Sequence, residues 1–475
     1  MNKSENILMR IIGRLFSTKY MVRRDKIIDT LPDSKEAYGG AVKLAVPAVI
    51  EMVGIALMGL LDTIMVGVIG DHAVAAVGLT NQPRFIFFSF FFALNIAVTA
   101  IIARYKGAGN QSAANACLRI ALLIGVVIGS LLTLVSILIA NPLMQFSGAQ
   151  YDTIEPATEF FRITMYGFMF AVLSQTICAA QRAAGNTRLT MIVNIVANVA
   201  KVIFNFLLIQ GRFGFPEMGI RGAGVSMVIA NVLAFTLAAA SLFYKGGFIK
   251  ISFRDSWKPD LTVFRSLIKV TSGSLVEQVG LRIGFFAYAL VIANLGTNDF
   301  VAHQIGMQVM NITFTFADGI AVASTALVGQ SLGKLRTDLA VMYGKIGLRL
   351  ALIAAGMLCV GVFLVRNRFP LLIATDETIV QTATGLMTII MIVMPILVSQ
   401  VVLGGTLRGS GDTKFVAVTM ILTVGLLRPL LGFLLTYTVG LGLIGAWLTI
   451  IIDQLARLIM LGIRFLRGKW LLVKL

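Results

Sequence analysis

The stretch KLAVPAVIEMVG at residues 43–54 returns as KVTSGSLVEQVG at residues 269–280. Further along, Gly70, Ala76, Gln82, Ala97, Thr99, Ala100 and Gly107 meet Gly296, Ala302, Gln308, Ala323, Thr325, Ala326 and Gly333, every pair 226 positions apart. At the same offset Arg182-x-x-Gly185-Asn186-Thr187-Arg188 returns as Arg408-x-x-Gly411-Asp412-Thr413-Lys414. Near the end of each copy Gly219-x-x-Gly222-Ala223 returns as Gly442-x-x-Gly445-Ala446. The period is far longer than a solenoid unit, so the chain is a tandem duplication that predicts two homologous lobes.

The 475 residues are 57% hydrophobic and 13% charged, with a mean hydropathy of +0.89. That composition lies outside the soluble range. Apolar runs long enough to cross a bilayer as helices fall near 39–66, 83–103, 118–140, 157–180, 189–209 and 222–244. Six more fall near 268–293, 304–331, 345–365, 379–405, 415–438 and 443–463. The expected architecture is an all-α integral membrane protein of twelve transmembrane helices. A basic N-terminal arm (1–36) precedes an N-lobe of spans one to six (37–244), a cytoplasmic linker (245–260) and a C-lobe of spans seven to twelve with a short basic tail (261–475).

The formal net charge of +18 invites a nucleic-acid partner, and the placement of the charges argues against one. With the N-terminus inside, 29 of the 40 Lys and Arg fall on one side of the membrane and four, Arg212, Arg221, Arg366 and Arg368, on the other. This is the positive-inside pattern, so a plasma (inner) membrane protein with both termini cytoplasmic is expected. Six spans per copy also bring the second copy in from the same side as the first, which predicts parallel six-helix bundles. In the arm, Ile7, Leu8, Ile11, Ile12, Leu15 and Phe16 surround Arg10 and Arg14, the spacing of an amphipathic helix on the inner leaflet. The scattered Cys117, Cys178 and Cys359 suit small apolar packing, and neither His72 nor His303 has metal-ligand spacing to a partner. No enzyme is expected.

Charged groups inside spans are costly and mark function or internal pairing. Glu51 and Asp62 lie eleven residues apart, on one helix face and about 16 Å apart along the axis, and Glu277 is the copy of Glu51. These three are the candidate ion-coupling residues, since a poorly hydrated carboxylate titrates nearer neutral pH or offers oxygen to a monovalent cation. Lys201 either pairs with Asp62 or sits elsewhere. Asn205, Lys201, Tyr288 (the copy of Asp62), Gln304, Gln308, Asp318 and Arg428 form the candidate cavity and substrate set. Asp453 with Arg457 reads as an i, i+4 ion pair that fixes packing. The phenylalanines between Phe85 and Phe92 read as lipid-facing packing, with an aromatic cavity for flat drugs as the alternative.

The stretch Pro47…Leu61-Asp62-Thr63…Val66-Gly67 and the turns at Gly185 and Gly411 resemble the multidrug and toxic compound extrusion (MATE) family. So do the segment Gly211-Arg212-Phe213-Gly214-Phe215-Pro216-Glu217-x-Gly219, Ala302-His303-Gln304-Ile305 and Gly329-Gln330-x-x-Gly333. The resemblance runs from Pro47 to Trp470. It implies a V-shaped pair of six-helix bundles that exports drug-like organic cations by alternating access, in exchange for H+ or Na+ and without another cofactor. Asp62 then matches the family's first-span coupling aspartate, Asn205 its fifth-span asparagine, and Glu277 resembles its seventh-span acidic residue. Two departures leave the ion open, with Na+ at Asp62 or Glu277 as one form of the site. Lys201 stands where some sodium-coupled relatives have asparagine, and Glu277 comes about one turn early. The implied partners are a small drug-like molecule and the bilayer, with the protein a monomer. A flippase for lipid-linked sugars is the alternative; the intramembrane carboxylates favour a cationic cargo over it.

Overall fold

The computed structural model describes residues 16–151, 153–244, 246–251, 260–373 and 376–473. In hydrocarbon a backbone must satisfy its own hydrogen bonds, so long apolar runs become helices. They are α1 (Ser34–Gly67), α2 (Asp71–Gly107), α3 (Gln111–Leu138), α4 (Ile154–Tyr166), α5 (Phe168–Ala183), α6 (Thr187–Leu208) and α7 (Gly219–Ser241) in the first copy. The second copy supplies α8 (Leu261–Ala293), α9 (Thr297–Gly333), α10 (Thr337–Val365), α11 (Glu377–Gly409), α12 (Thr413–Thr438) and α13 (Gly442–Arg467). Among the described residues eleven helices are long and apolar enough to span a membrane, and α4 with α5, bent by 48°, makes a twelfth span if the pair is counted as one. The bend falls at Gly167, where a methyl group would come within 3.1 Å of the Val228 backbone on α7.

Proline interrupts α1 at Pro47, α2 at Pro83 and α11 at Pro395. In α12 the ladder loosens into π-helical turns at Ile421–Leu427 and Leu434–Thr438, on either side of Arg428 and Pro429. Pro429 brings no N–H to the ladder, and wide turns are a common way to absorb such a defect.

By contacts the chain forms two units, and segments are exchanged between the copies. One unit holds residues up to Val49, Ala103–Gly109 and Val279–Leu475; the other holds Ile50–Ile102 and Asn110–Gln278. The linker expected at 245–260 falls largely outside the described residues.

In the first unit, Trp447, Met387 and Ile390 centre the core between α9, α11 and α13. Met21 and Val22 of the N-terminal arm are buried with Ala37 and Ala41 of α1 and Met342 and Ile346 of α10. The arm is held there by polar bonds: Lys345 Nζ donates to the Met21 carbonyl at 2.6 Å, and Arg336 Nη1 pairs with Asp29 at 3.1 Å. Asp338 accepts from the Ile28 N–H at 3.2 Å. The amphipathic helix expected around Ile7 lies outside the described residues, apart from Phe16.

The same unit contains a crossing between equivalent positions of the two copies. A methyl on Gly329 would lie 2.6 Å from the Ala103 methyl, and residues 103 and 329 are copies of one another. Around that point the contact is reciprocal. Gly107 faces the Gln330 backbone while its copy Gly333 faces the Arg104 backbone, and Arg104 and Gln330 are themselves copies. Equivalent residues touch each other at a two-fold axis, with exchanged pairs on either side.

In the second unit Val66, Ala73, Phe160, Ile209 and Ala223 pack together. The phenylalanines of α2 divide. Phe91 is buried and Phe88 and Phe91 meet Phe168 at 4.7 and 5.6 Å, whereas Phe85 and Ile86 are exposed. Lipid-facing packing therefore does not hold for Phe91, because α5 packs against that side of α2.

Candidate functional site

Two carboxylates of α1, both within the second unit, meet one face of α6. On α6 the polar residues Asn194, Asn198, Lys201 and Asn205 recur every three or four positions, so they form one stripe. Glu51 is buried and accepts three bonds: Arg182 Nη1 of α5 at 2.8 Å, Thr190 Oγ1 at 2.7 Å and Asn194 Nδ2 at 2.9 Å. Three donors around one carboxylate, one of them a guanidinium, hold it in place.

Asp62 is served differently. Lys201 Nζ bonds its Oδ2, and Asn205 Nδ2 donates to its Oδ1 at 2.9 Å. The side chains of Lys201 and Asp62 keep 13% and 20% of their surface, an exposure that suits water far better than lipid. Arg84 of α2 completes the group. Asp62 attracts it and Lys201 is repelled by it, while its Nη2 donates to the thioether of Met227 at 3.0 Å. Asn205 is buried and its Oδ1 has no partner.

In the first unit the polar positions of α9 line up. Gln304, Gln308, Asn311 and Asp318 are exposed and Thr315 is half-buried. Their steps of four, three, four and three place all five on one side of the helix. Next to Asp318, Gly319 lets the backbone of Val49 on α1 lie directly against α9, since a methyl there would come 2.6 Å from Val49 Cα.

Arg428 and Tyr288 from the cavity set serve the interior of that unit instead. Asp453 Oδ2 accepts from Arg428 Nε at 3.0 Å, from Arg428 Nη2, and from Arg457 Nη2 at 2.6 Å, with all three residues buried. The Arg428 guanidinium lies 5.2 Å from the Phe285 ring and 5.6 Å from the Tyr288 ring. The Tyr288 hydroxyl donates to the Ala446 carbonyl at 2.7 Å. Glu277 is buried on α8. Among the described residues no group of three His, Cys, Asp or Glu side chains could hold a metal ion.

Sequence reading named Glu51, Asp62, Lys201 and Asn205, and the structure brings the last three together. It did not single out Arg84, or Arg182 as the partner of Glu51. The signal for Arg182 was its place in a duplicated motif; Arg84 carried the signal of any arginine within an apolar span.

The fold and the site define a multi-pass membrane transporter built from two copies of one helical module. The sequence matches the MatE family over residues 47–207 and again over 274–434. It is 27% identical over 430 residues to the "Probable multidrug resistance protein NorM" of Thermotoga maritima, covering 90% of this chain and 92% of that one. It is 28% identical over 449 residues to multidrug resistance protein PmpM of Pseudomonas aeruginosa, covering 90% of each. The solved outward-facing structure of a multidrug resistance MATE family transporter of the MOP superfamily shares the fold with a TM-score of 0.82 at 20% identity, over 91% of this chain and 95% of that one. The chain belongs to the MatE family of transporters.

Proposed function

We propose that this chain is a cation-coupled antiporter that exports drug-like organic compounds across the inner membrane by alternating access. In this reading both termini are cytoplasmic and the monomer is the working form. The Asp62, Lys201 and Asn205 cluster carries the coupling ion. The α9 stripe of Gln304, Gln308, Asn311, Thr315 and Asp318 meets the cargo, with Asp318 favouring a positively charged one.

The observation that carries the reading is the pair of polar faces on helices otherwise apolar enough to span. A spanning helix that exposes amides and a carboxylate along one line is stable where that line borders water. A partly exposed carboxylate–ammonium pair in the other unit gives a charge that ion binding can change. The names of the relatives, multidrug resistance proteins, support a drug-like cargo.

The test is export of a fluorescent organic cation from proteoliposomes under an imposed pH gradient or an imposed Na+ gradient. One of the two should drive wild-type export. Asp62→Asn should insert and fold, yet lose most of the gradient-driven rate, because the amide keeps the size and cannot carry the charge. Asp318→Asn should weaken cargo binding with the drive preserved. Wild-type protein that exports under neither gradient, or Asp62→Asn that keeps full drive, would remove the reading.

A further inference from the structure

Lys201 is an unusual neighbour for a carboxylate that is meant to exchange cations, because it is a cation that cannot leave. It lies four residues before Asn205 on α6, so both side chains approach Asp62 from the same helix face. Together they take both carboxylate oxygens, Nζ on Oδ2 and Nδ2 on Oδ1. We propose that Lys201 sets the ion specificity of this unit: its ammonium occupies the cation position at Asp62, so that Na+ is not bound there. The inference rests on the ion-coupled reading above and narrows its ion.

Charge and coordination both carry it. Among the described residues the positive charges that interact with Asp62 are Lys201 from α6 and Arg84 from α2. Glu51, the other carboxylate of α1, is already taken by Arg182. The cluster therefore has one negative and two positive groups before any ion arrives. Sodium seated on Asp62 would lie about 4 Å from the ammonium. That repulsion weakens its binding roughly a thousandfold at the effective dielectric of a partly buried site. Hard cations also need several oxygens, and here Lys201 and Asn205 present N–H groups to both oxygens of Asp62.

Replacing Lys201 by a neutral residue should uncover what the lysine covers. Asp62 would then have Oδ2 vacant, with the buried and unpartnered Asn205 Oδ1 beside it as a further oxygen. Binding of radioactive Na+ to purified protein, with thermal unfolding in Na+ against K+ at matched ionic strength, reads this directly. Wild type and Lys201→Arg should show no Asp62-dependent Na+ binding and no Na+-specific stabilisation. Lys201→Asn should gain both, with Na+ affinity at least about tenfold above wild type, and the gain should vanish in Lys201→Asn with Asp62→Asn. Wild-type Na+ binding that Asp62→Asn abolishes would overturn the proposal, as would a folded Lys201→Asn protein with no gain. If Lys201→Asn does not fold, wild type and Asp62→Asn still decide. These are binding measurements, so a protein that fails to transport under either gradient can still pass or fail them.

Discussion

Asp453→Asn is a one-atom change that should cost this protein much of its stability. Read from sequence, Asp453 and Arg457 are an i, i+4 pair, a contact worth about 0.3–0.5 kcal/mol on an exposed helix. In the structure Asp453 is fully buried and its Oδ2 accepts from Arg428 and Arg457 together. Neutralising it leaves two guanidiniums in the interior without that charge and turns an amide N–H₂ toward groups that only donate. Removing one partner of a buried pair costs about 3–5 kcal/mol. The three bonds at Oδ2 are not independent, so their separate values should not be added to that figure. Against a typical total of about 5–15 kcal/mol, the loss is a large fraction. The assay is thermal unfolding of detergent-purified protein, with the fraction recovered as a single species as a second measure. The expected result is a clearly lowered midpoint and reduced recovery. Replacing the triad together, Asp453→Leu with Arg428→Met and Arg457→Met, should recover most of the stability, because buried ion clusters exchange for apolar side chains at little cost. An unchanged midpoint in Asp453→Asn, or a triple variant no better than the single one, would refute the reasoning.

Other expectations follow from the duplication and the arm. Leu335 holds a left-handed backbone (φ 60°) at the position where the first copy has Gly109 (φ 69°). Leu335→Gly should therefore raise the unfolding midpoint by an amount worth about 1 kcal/mol or less, and Gly109→Leu should lower it. Gly107→Ala and Gly333→Ala each place a methyl on backbone, so each should destabilise by about 1–3 kcal/mol, seen as reduced folded protein in the membrane. Arg336→Ala removes the bonds to Asp29 and to the Asp29 and Thr30 carbonyls, so trypsin should cut at Arg23, Arg24 and Lys26 about tenfold faster; unchanged cleavage would count against the arm being clamped. For orientation, a cysteine at Tyr151 (99% exposed) should react with an impermeant thiol reagent in whole cells, and one at Leu335 (82% exposed) should not. The reverse pattern would invert the topology.

What the sequence disclosed was what local physics enforces. Spans are legible because each apolar run must satisfy its own backbone, and the duplication is legible because the copies kept their spacing. The stripe Asn194, Asn198, Lys201 and Asn205 was legible as a helix face. That its Asn194 would meet Glu51 was not, since the two are 143 residues apart and no periodicity relates them. The same holds for Arg428, placed in the cavity set because it is charged within a span, and found bonded to Asp453. Leu335 shows the limit from the other side. Propensity puts no leucine in a left-handed turn, and only the copy at Gly109 reveals what the position demands.

The touching of Ala103 and Gly329 carries a consequence for the history of the chain. In a dimer of identical half-length proteins the two positions would hold the same residue, methyl against methyl or hydrogen against hydrogen. Fusion into one chain removed that symmetry of choice, and here one partner fills the gap that the other leaves. The pair now behaves as a lock whose bolt and socket are written in different halves of one gene. Neither half can be replaced by a second copy of the other without losing the fit.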